Sequence, residues 1–300
     1  MRKRGLYLLL LFTFMFIGLW CLRPLFPQEM DYEQFFQHKK KQKRNRGVPW
    51  WYDTLSQKVK GWDTVITEHY AVRTNIGLKK TYWIASLLER MVKAYTDIFE
   101  KEFGLPPVVE YASRRGVRVF SSKESYQQYR GAFSNAPSSA PGYYDIRYEE
   151  IVFSEKVKNI QKMLLHESFH HFLHCYVKKP PKWLNEGLAE CFETMALDKE
   201  GRPILGRNSD FLPSLKKKIK KGEIKSLKKI ISAHKKFEYD ESWGIAHFLM
   251  HSQSSKRRPL IGDYIKRLMQ GENHIKAFEE VFGSDYSSLE KEWKRYILAL

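Results

Sequence analysis

The chain has 300 residues, of which 43% are hydrophobic and 29% are charged. This composition is typical of a folded protein with a sizeable core, and it excludes wholesale disorder. The 52 lysine and arginine residues exceed the 34 aspartate and glutamate residues, which gives a formal net charge of +18. Such an excess indicates contact with an anionic partner, whether phospholipid, cell-wall polymer or nucleic acid. The three cysteines show no C-x-x-C spacing, which argues against a thiolate zinc site and a disulfide framework.

The N-terminus combines a basic start with a long apolar run. Residues 5–22 carry no charge and follow the basic residues 2–4. As a helix, this run would measure about 27 Å, close to the thickness of the hydrocarbon core of a bilayer. The bulky residues at 19–22 suit signal peptidase poorly, so an uncleaved membrane anchor is favoured, with secretion after signal cleavage as the alternative. The basic start favours a cytoplasmic N-terminus and an extracytoplasmic location for the rest of the chain.

Three regions are predicted along the chain. Residues 1–27 form the anchor or signal segment, residues 28–62 a basic stalk, and residues 63–300 the folded domain. The stalk shows no helical or strand periodicity and contains a cluster of cations at 38–46.

The folded domain is predicted to begin with strands and to continue mainly as helices. The residue spacing predicts strands over 64–74 and 117–121, a long helix over 79–103, and a hairpin or edge strand over 142–153. Helices are predicted over about 155–176, 182–197, 215–233 in pieces, 241–251, 261–269, 274–282 and 287–300. Ser287 and Glu290 predict a capping box at the start of the last helix. The fold class is therefore α+β, with a small N-terminal mixed sheet, a long helix and a mainly helical second half.

The predicted helix 155–176 carries an H-E-x-x-H motif formed by His166, Glu167 and His170. Histidines four residues apart lie on one helix face, where both imidazoles can reach one metal ion beside Glu167. Catalytic zinc usually has three protein ligands, so a third is needed. His174 lies about 12 Å along the helix axis from His166, too far to share the ion. The metzincin pattern is excluded, because it requires glycine at position 173 and histidine at position 176, where this chain has Leu173 and Tyr176.

A carboxylate from the following helix can complete this set. Residues 183–193 read WLNEGLAECFE and offer Glu186, with fifteen residues between it and His170. The pair of H-E-x-x-H and N-E-G-L-A-E resembles the gluzincin peptidases, and the short spacing resembles the bacterial peptidase-MA-like domains. The resemblance covers about residues 64–300, including the Gly-Tyr-Tyr segment at 142–144 and the YDESWGIAHFL segment at 239–249.

The resemblance implies a thermolysin-like helical half that holds one Zn²⁺ ion. By this resemblance His166, His170 and Glu186 are the zinc ligands and Glu167 is the general base. Glu190 matches a carboxylate that supports the ligands in many gluzincins. Tyr239 is the candidate oxyanion donor, although an ordinary core tyrosine is an equal alternative. The two helices run antiparallel in gluzincins, so the two cysteines that follow the ligands would diverge, which disfavours a disulfide bond between them.

The expected reaction is hydrolysis of peptide bonds in a peptide or protein substrate. Zinc would activate a water molecule and polarise the substrate carbonyl, while Glu167 takes the water proton and passes it to the leaving amine. Aminopeptidase-type gluzincins bind the free amine of the substrate with an acidic residue in a segment that precedes the zinc motif. The most similar segment of this chain, residues 131–135, contains no acidic residue. An endopeptidase that lays an extended chain against the predicted edge strand is therefore favoured.

The alternative function is a catalytically inactive gluzincin-like module that binds anionic envelope components. Its candidate contacts with anionic lipid or envelope polymer are the basic segments 38–46 and 214–236. Residues 214–236 contain ten lysines and one glutamate, although a solvated helical face is the simpler interpretation of them. Nucleic acid is not an expected partner, because no recognised binding motif is present and the N-terminus directs the chain out of the cytoplasm.

Overall fold

A computed structural model describes residues 29–30, 58–108, 114–134, 136–197, 199, 203–208, 210–234, 237–251 and 257–300. The chain divides into two compact units, residues 1–63 and 64–300. In the first unit, strands β1 (Glu29–Met30) and β2 (Lys58–Val59) pair in parallel. The predicted anchor at 5–22 and the basic cluster at 38–46 lie outside the described residues. Among the residues that are described, no helix has the length and apolar character needed to cross a membrane.

The main sheet has five strands in the order β3–β4–β5–β7–β6. They are β3 (Asp63–Ile66), β4 (Tyr70–Thr74), β5 (Arg115–Phe120), β6 (Gly142–Asp145) and β7 (Glu150–Ser154). Strands β4, β5 and β7 are parallel, and β6 runs antiparallel to β7 at one edge. Every residue of the three parallel strands is buried, as expected for strands covered on both faces. The predicted mixed sheet is confirmed, with β6 as an edge strand.

Two helices accompany the sheet. Helix α1 (Leu78–Thr96) continues as a π-helical segment (Asp97–Glu102), and α2 (Lys123–Phe133) precedes β6. The apolar stripe of α1 is buried, and the hydroxyl of Tyr95 donates a hydrogen bond to the carbonyl oxygen of Leu165 at 2.8 Å. This buried bond and the surrounding aromatic rings fix the later helices against α1.

The rest of the chain is mainly helical, so the predicted α+β class is confirmed. Its helices are α3 (Ile160–Tyr176), α4 (Lys182–Glu193), α5 (Phe211–Lys221), α6 (Leu227–Ile231), α7 (Tyr239–His251), α8 (Arg257–Met269), α9 (His274–Phe282) and α10 (Tyr286–Ala299). A short hairpin of β8 (Met195–Leu197) and β9 (Pro203–Leu205) follows α4. Trp183 and Trp243 are buried core residues, and Cys175 and Cys191 are not joined to each other by a disulfide bond.

Several predicted boundaries are wrong for identifiable reasons. The strand predicted over 64–74 is two strands, because a turn closes where the Thr67 amide donates to the Tyr70 carbonyl oxygen at 2.8 Å. Helix α3 begins at Ile160, since the Asn159 side chain caps it. Helix α4 ends at Glu193, because the residues predicted to extend it pair as strand β8 instead.

Helices α4 and α7 cross closely at Gly187. A Cβ atom at this position would lie 2.4 Å from the carbonyl oxygen of Ser242 and 3.0 Å from Cβ of Ala246. Any side chain here would therefore push the two helices apart. The glycine of the N-E-G sequence is thus explained by packing, and its neighbour Glu186 is held at a fixed depth against α7.

Candidate metal centre

Helices α3 and α4 lie antiparallel and face each other through polar side chains. Helix α3 contributes three side chains that are four residues apart, Lys162, His166 and His170. Helix α4 contributes Asn185, Glu186, Glu190 and Glu193. The contacts run in opposite order along the two helices: Lys162 with Glu193, His166 with Glu190, and His170 with Asn185. This ladder brings residues distant in sequence around one point between the helices.

Three candidate donor atoms converge at that point. The Nε2 atoms of His166 and His170 lie 3.7 Å and 3.5 Å from the same carboxylate oxygen, Oε2 of Glu186. The three donors lie within 4.8 Å of one another. Two ligands of a tetrahedral ion bound at about 2.0–2.1 Å, as zinc is, are separated by about 3.3 Å. The two distances to Oε2 of Glu186 therefore exceed this separation by only a few tenths of an ångström.

Asn185 orients two of these donors. The Nδ1 atom of His170 donates a hydrogen bond to Oδ1 of Asn185 at 3.1 Å, and Nδ2 of Asn185 donates to Oε1 of Glu186 at 3.2 Å. Because a carboxylate only accepts, the amide must turn its oxygen towards His170. The proton of His170 is then on Nδ1, and the lone pair on Nε2 faces Glu186. Asn185 was not foreseen from the sequence, although it immediately precedes Glu186.

His166 also has carboxylates on its other side. Its Nδ1 atom lies 3.4 Å from Oε2 of Glu193 and 3.7 Å from Oε1 of Glu190. The three residues form a second group whose atoms could hold a metal ion. The position of Glu190 matches the expectation from the sequence, whereas Glu193 was not foreseen. Its signal was available in the spacing, because residues 186, 190 and 193 share one helix face.

The charges around the centre are unbalanced in favour of anions. Burial opposes the charged form of His166, yet its pKa is raised well above the usual value by Glu186 and Glu193 and by other nearby carboxylates. Burial raises the pKa of Glu186, but the two imidazoles lower it overall. Burial, reinforced by Glu193 and Glu186 and opposed by His166, raises the pKa of Glu190 to about 7. Buried carboxylates are costly unless they are paired or bind metal, so this environment favours a bound cation.

Glu167 lies beside the three donors without joining them. Its side chain is buried, with 8% of its surface exposed. Its charge contributes to the raised pKa of Tyr126, Tyr239 and His166, so its carboxylate is within electrostatic reach of all three. Among the described residues, no side chain donates a hydrogen bond to it, so the carboxylate is available to another partner.

Tyr239 is the first residue of α7 and lies within electrostatic reach of the carboxylates of the centre. Its side chain is 46% exposed, unlike that of a core tyrosine. Partial burial and the charges of Glu186, Glu190 and Glu167 raise its pKa to about 12, so its hydroxyl stays protonated at neutral pH. Its ring packs edge-on against Phe237 at 4.9 Å. The residue is therefore a hydrogen-bond donor close to the carboxylates.

The other histidines of α3 do not join the donors. His171 is buried and contacts the sheet, where Nε of Arg115 donates to its Nε2 atom at 2.8 Å and its Nδ1 atom lies 3.2 Å from the Tyr70 hydroxyl. His174 stacks on Tyr144 of strand β6, with ring centroids 5.5 Å apart. The contact of His174 with Tyr144 places the edge strand beside the helix of the donors.

Residues 162–267 are similar to a family of proteins of unknown function, DUF1570. The matched segment covers about a third of the chain. It begins one turn before His166 and includes α4 and α7, and thus every residue of the centre described above. A search of the curated proteins gave no match. The similarity therefore covers the candidate metal centre without assigning it an activity.

Proposed function

We propose that the protein is a membrane-tethered, zinc-dependent endopeptidase with a thermolysin-like helical half. The convergence of His166 Nε2, His170 Nε2 and Glu186 Oε2 carries this proposal. A buried carboxylate, Glu167, and a partly exposed phenol, Tyr239, supply the remaining groups that peptide hydrolysis requires. The gluzincin resemblance of the two motifs supports the same reaction. The tether and the extracytoplasmic location rest on the apolar run at 5–22, which is outside the described residues.

Zinc is the proposed ion because two imidazole nitrogens and one carboxylate oxygen are a known ligand set of catalytic zinc. When bound, zinc lowers the pKa of a coordinated water molecule and polarises the substrate carbonyl. Three protein ligands leave a further coordination position available to water or substrate. Asn185 keeps the Nε2 lone pair of His170 directed at the ion.

Glu167 is proposed to carry the proton transfers. Its carboxylate takes a proton from the attacking water and delivers it to the amine that leaves the cleaved peptide bond. Its freedom from hydrogen bonds to other described side chains suits this role, because an accepting oxygen must be available to the water. The reaction then needs no covalent intermediate with the protein.

Tyr239 is proposed to donate a hydrogen bond to the oxygen anion that forms during attack. Replacing Tyr239 with phenylalanine is expected to lower kcat about 10²- to 10³-fold, because one donor to the developing charge is lost. Zinc content and KM should stay near wild type, because the ring remains and no ligand changes. Steady-state kinetics on a cleaved peptide will measure the effect. Full activity of the variant would exclude Tyr239 from this role.

The edge strand β6 is the proposed docking site for the substrate backbone. It lies at the rim of the sheet beside α3, close enough that a Cβ atom on Gly142 would be 2.7 Å from Sδ of Met163. An extended peptide can add to such an edge through main-chain hydrogen bonds. Residues 131–135 provide no acid for a substrate amine, which favours cleavage within chains over removal of N-terminal residues.

Metal analysis coupled to a peptide digest tests the proposed function. Purified full-length protein is expected to contain one zinc per chain and to cleave members of a peptide library at internal bonds. Chelation should abolish cleavage, and added zinc should restore it. Absence of zinc, or cleavage that persists after zinc removal, would contradict the proposal.

The second candidate is an inactive module that binds anionic envelope components. It is favoured by helix α5, which places Lys216, Lys217, Lys220 and Lys221 on one side. Three lysines of this segment form ion pairs: Lys218 lies 2.8 Å from Asp240, Lys221 lies 3.7 Å from Glu223, and Lys225 lies 3.1 Å from Glu238. The free charge is therefore smaller than the sequence indicates. Zinc binding without any cleavage of the peptide library would favour this module over the peptidase.

A further inference from the structure

The two ring nitrogens of His166 face different groups. Its Nε2 atom faces the other metal donors, with Oε2 of Glu186 at 3.7 Å. Its Nδ1 atom faces Glu193 and Glu190 on the opposite side. A histidine that ligates a metal through Nε2 is commonly held by an acceptor at Nδ1, which fixes both its orientation and the position of its proton. Two carboxylates compete for that role here.

Distance favours Glu193 over Glu190. The contact with Nδ1 is 3.4 Å for Oε2 of Glu193 and 3.7 Å for Oε1 of Glu190, so Glu193 is the nearer carboxylate. The other oxygen of Glu190, Oε2, accepts a hydrogen bond from Nδ2 of Asn208 at 3.2 Å, which directs this carboxylate towards a residue outside the group of donors. The remaining oxygen of Glu193, Oε1, lies 3.2 Å from the ammonium group of Lys162.

Lys162 and His166 are on the same face of α3, four residues apart. Glu193 reaches both of them from α4, with one oxygen directed at each. The ion pair with the ammonium group therefore holds the carboxylate in an orientation that faces the imidazole. The contacts therefore form a chain from the ammonium group of Lys162, through the carboxylate of Glu193, to the imidazole of His166 and the other metal donors.

We propose that Glu193, held by Lys162, is the positioning residue for His166. It accepts a hydrogen bond from Nδ1–H, which leaves the lone pair on Nε2 directed at the metal. This inference rests on the proposed metal site. It differs from the expectation drawn from the sequence, which gave the supporting carboxylate at Glu190.

The same atoms do not suit a second metal ion. His166, Glu190 and Glu193 group closely enough to be considered as donors. However, an imidazole that binds metal at both nitrogens must lose both N–H protons, whereas a neutral ring keeps one of them. The positive charge that Glu193 requires is already supplied by Lys162 at 3.2 Å. Positioning of the ligand therefore accounts for this group better than metal binding does.

The zinc affinity of the full-length protein tests the proposal without reference to activity. Glu193→Gln is expected to weaken zinc binding at least about ten-fold, measured by competition with a chromophoric chelator, because the charged acceptor is lost. Glu190→Gln is expected to weaken it less. In Co²⁺-loaded protein, Glu193→Gln should alter the visible absorption spectrum, because the imidazole ligand is reoriented. A merely structural role would leave that spectrum unchanged.

The controls separate this effect from misfolding and from the proposed function. Glu223→Gln, an exposed change, should bind zinc like the wild type, and Glu193→Asp should restore part of the lost affinity. Equal zinc affinity of Glu193→Gln and wild type would overturn the proposal, as would a larger loss in Glu190→Gln or two zinc ions per chain. Wild-type protein that binds no zinc would overturn the proposed function itself. If the wild type binds zinc and Glu193→Gln binds it equally well, only the role of Glu193 is overturned.

Discussion

Replacing Glu167 with glutamine is expected to lower kcat about 10²- to 10⁴-fold, because a positioned general base contributes a factor of this size. The amide has nearly the same shape as the carboxylate but cannot take a proton from water at neutral pH. Glu167 is not one of the three grouped donors, so one zinc per chain should remain bound. Kinetics on an identified peptide and elemental analysis of the same sample measure both quantities.

The matched control for this change is Glu223→Gln, which alters an exposed acid remote from the donors in the sequence. It should leave kcat and metal content at wild-type values. Normal turnover in purified Glu167→Gln would show that another group accepts the proton. Loss of zinc in the same variant would instead place Glu167 among the ligands.

Replacing Gly187 with alanine is expected to lower the free energy of unfolding by about 2–3 kcal/mol, since overpacking of tightly packed sites has costs of this order. The added Cβ atom would lie 2.4 Å from the carbonyl oxygen of Ser242 and 2.9 Å from its carbonyl carbon. Both are backbone atoms of α7 and cannot rotate away. Helix α4 must therefore shift, and Glu186 shifts with it. Denaturant unfolding and zinc competition measure the two consequences.

Gly131→Ala is the control for the glycine substitution. Gly131 lies within α2, and no heavy atom lies within 4 Å of a Cβ built there. Alanine favours a helix over glycine by up to about 1 kcal/mol, so this variant should be unchanged or slightly more stable. If the Gly187 and Gly131 variants unfold at the same denaturant concentration, the close crossing of α4 and α7 does not contribute as described.

Local periodicity was sufficient for the elements whose pattern is strong. The apolar stripe of the long helix and the two histidines four residues apart depend only on the helical repeat, and both predicted the correct faces. Helix α2 was missed because its sequence is polar and only Tyr126, Tyr129 and Phe133 are buried from it. Those three residues become a helical face only when the sheet is present to cover them.

Tertiary contacts also changed how a local signal is used. Ser287 and Glu290 predicted a capping box for the last helix, and this prediction was wrong. The side chain of Asp285 caps the helix by accepting from the Ser288 amide at 3.0 Å. Glu290 instead accepts a hydrogen bond from the amide of Leu227, which begins α6, at 2.7 Å. The carboxylate of Glu290 therefore does not cap its own helix, because it accepts the hydrogen bond of an otherwise unsatisfied amide at the start of α6.

The sequence by itself determined the identity and spacing of the candidate metal donors, because residues on one helix face are fixed by the helical repeat. It also determined the net charge of +18 and the α+β order of elements. Only the tertiary structure decided which side chains support those donors: Asn185 at His170, and Glu193 with Lys162 at His166. These contacts depend on the distance between α3 and α4 and on the register in which they pack. The core beneath the two helices, together with the close crossing of α4 and α7 at Gly187, fixes the position of α4.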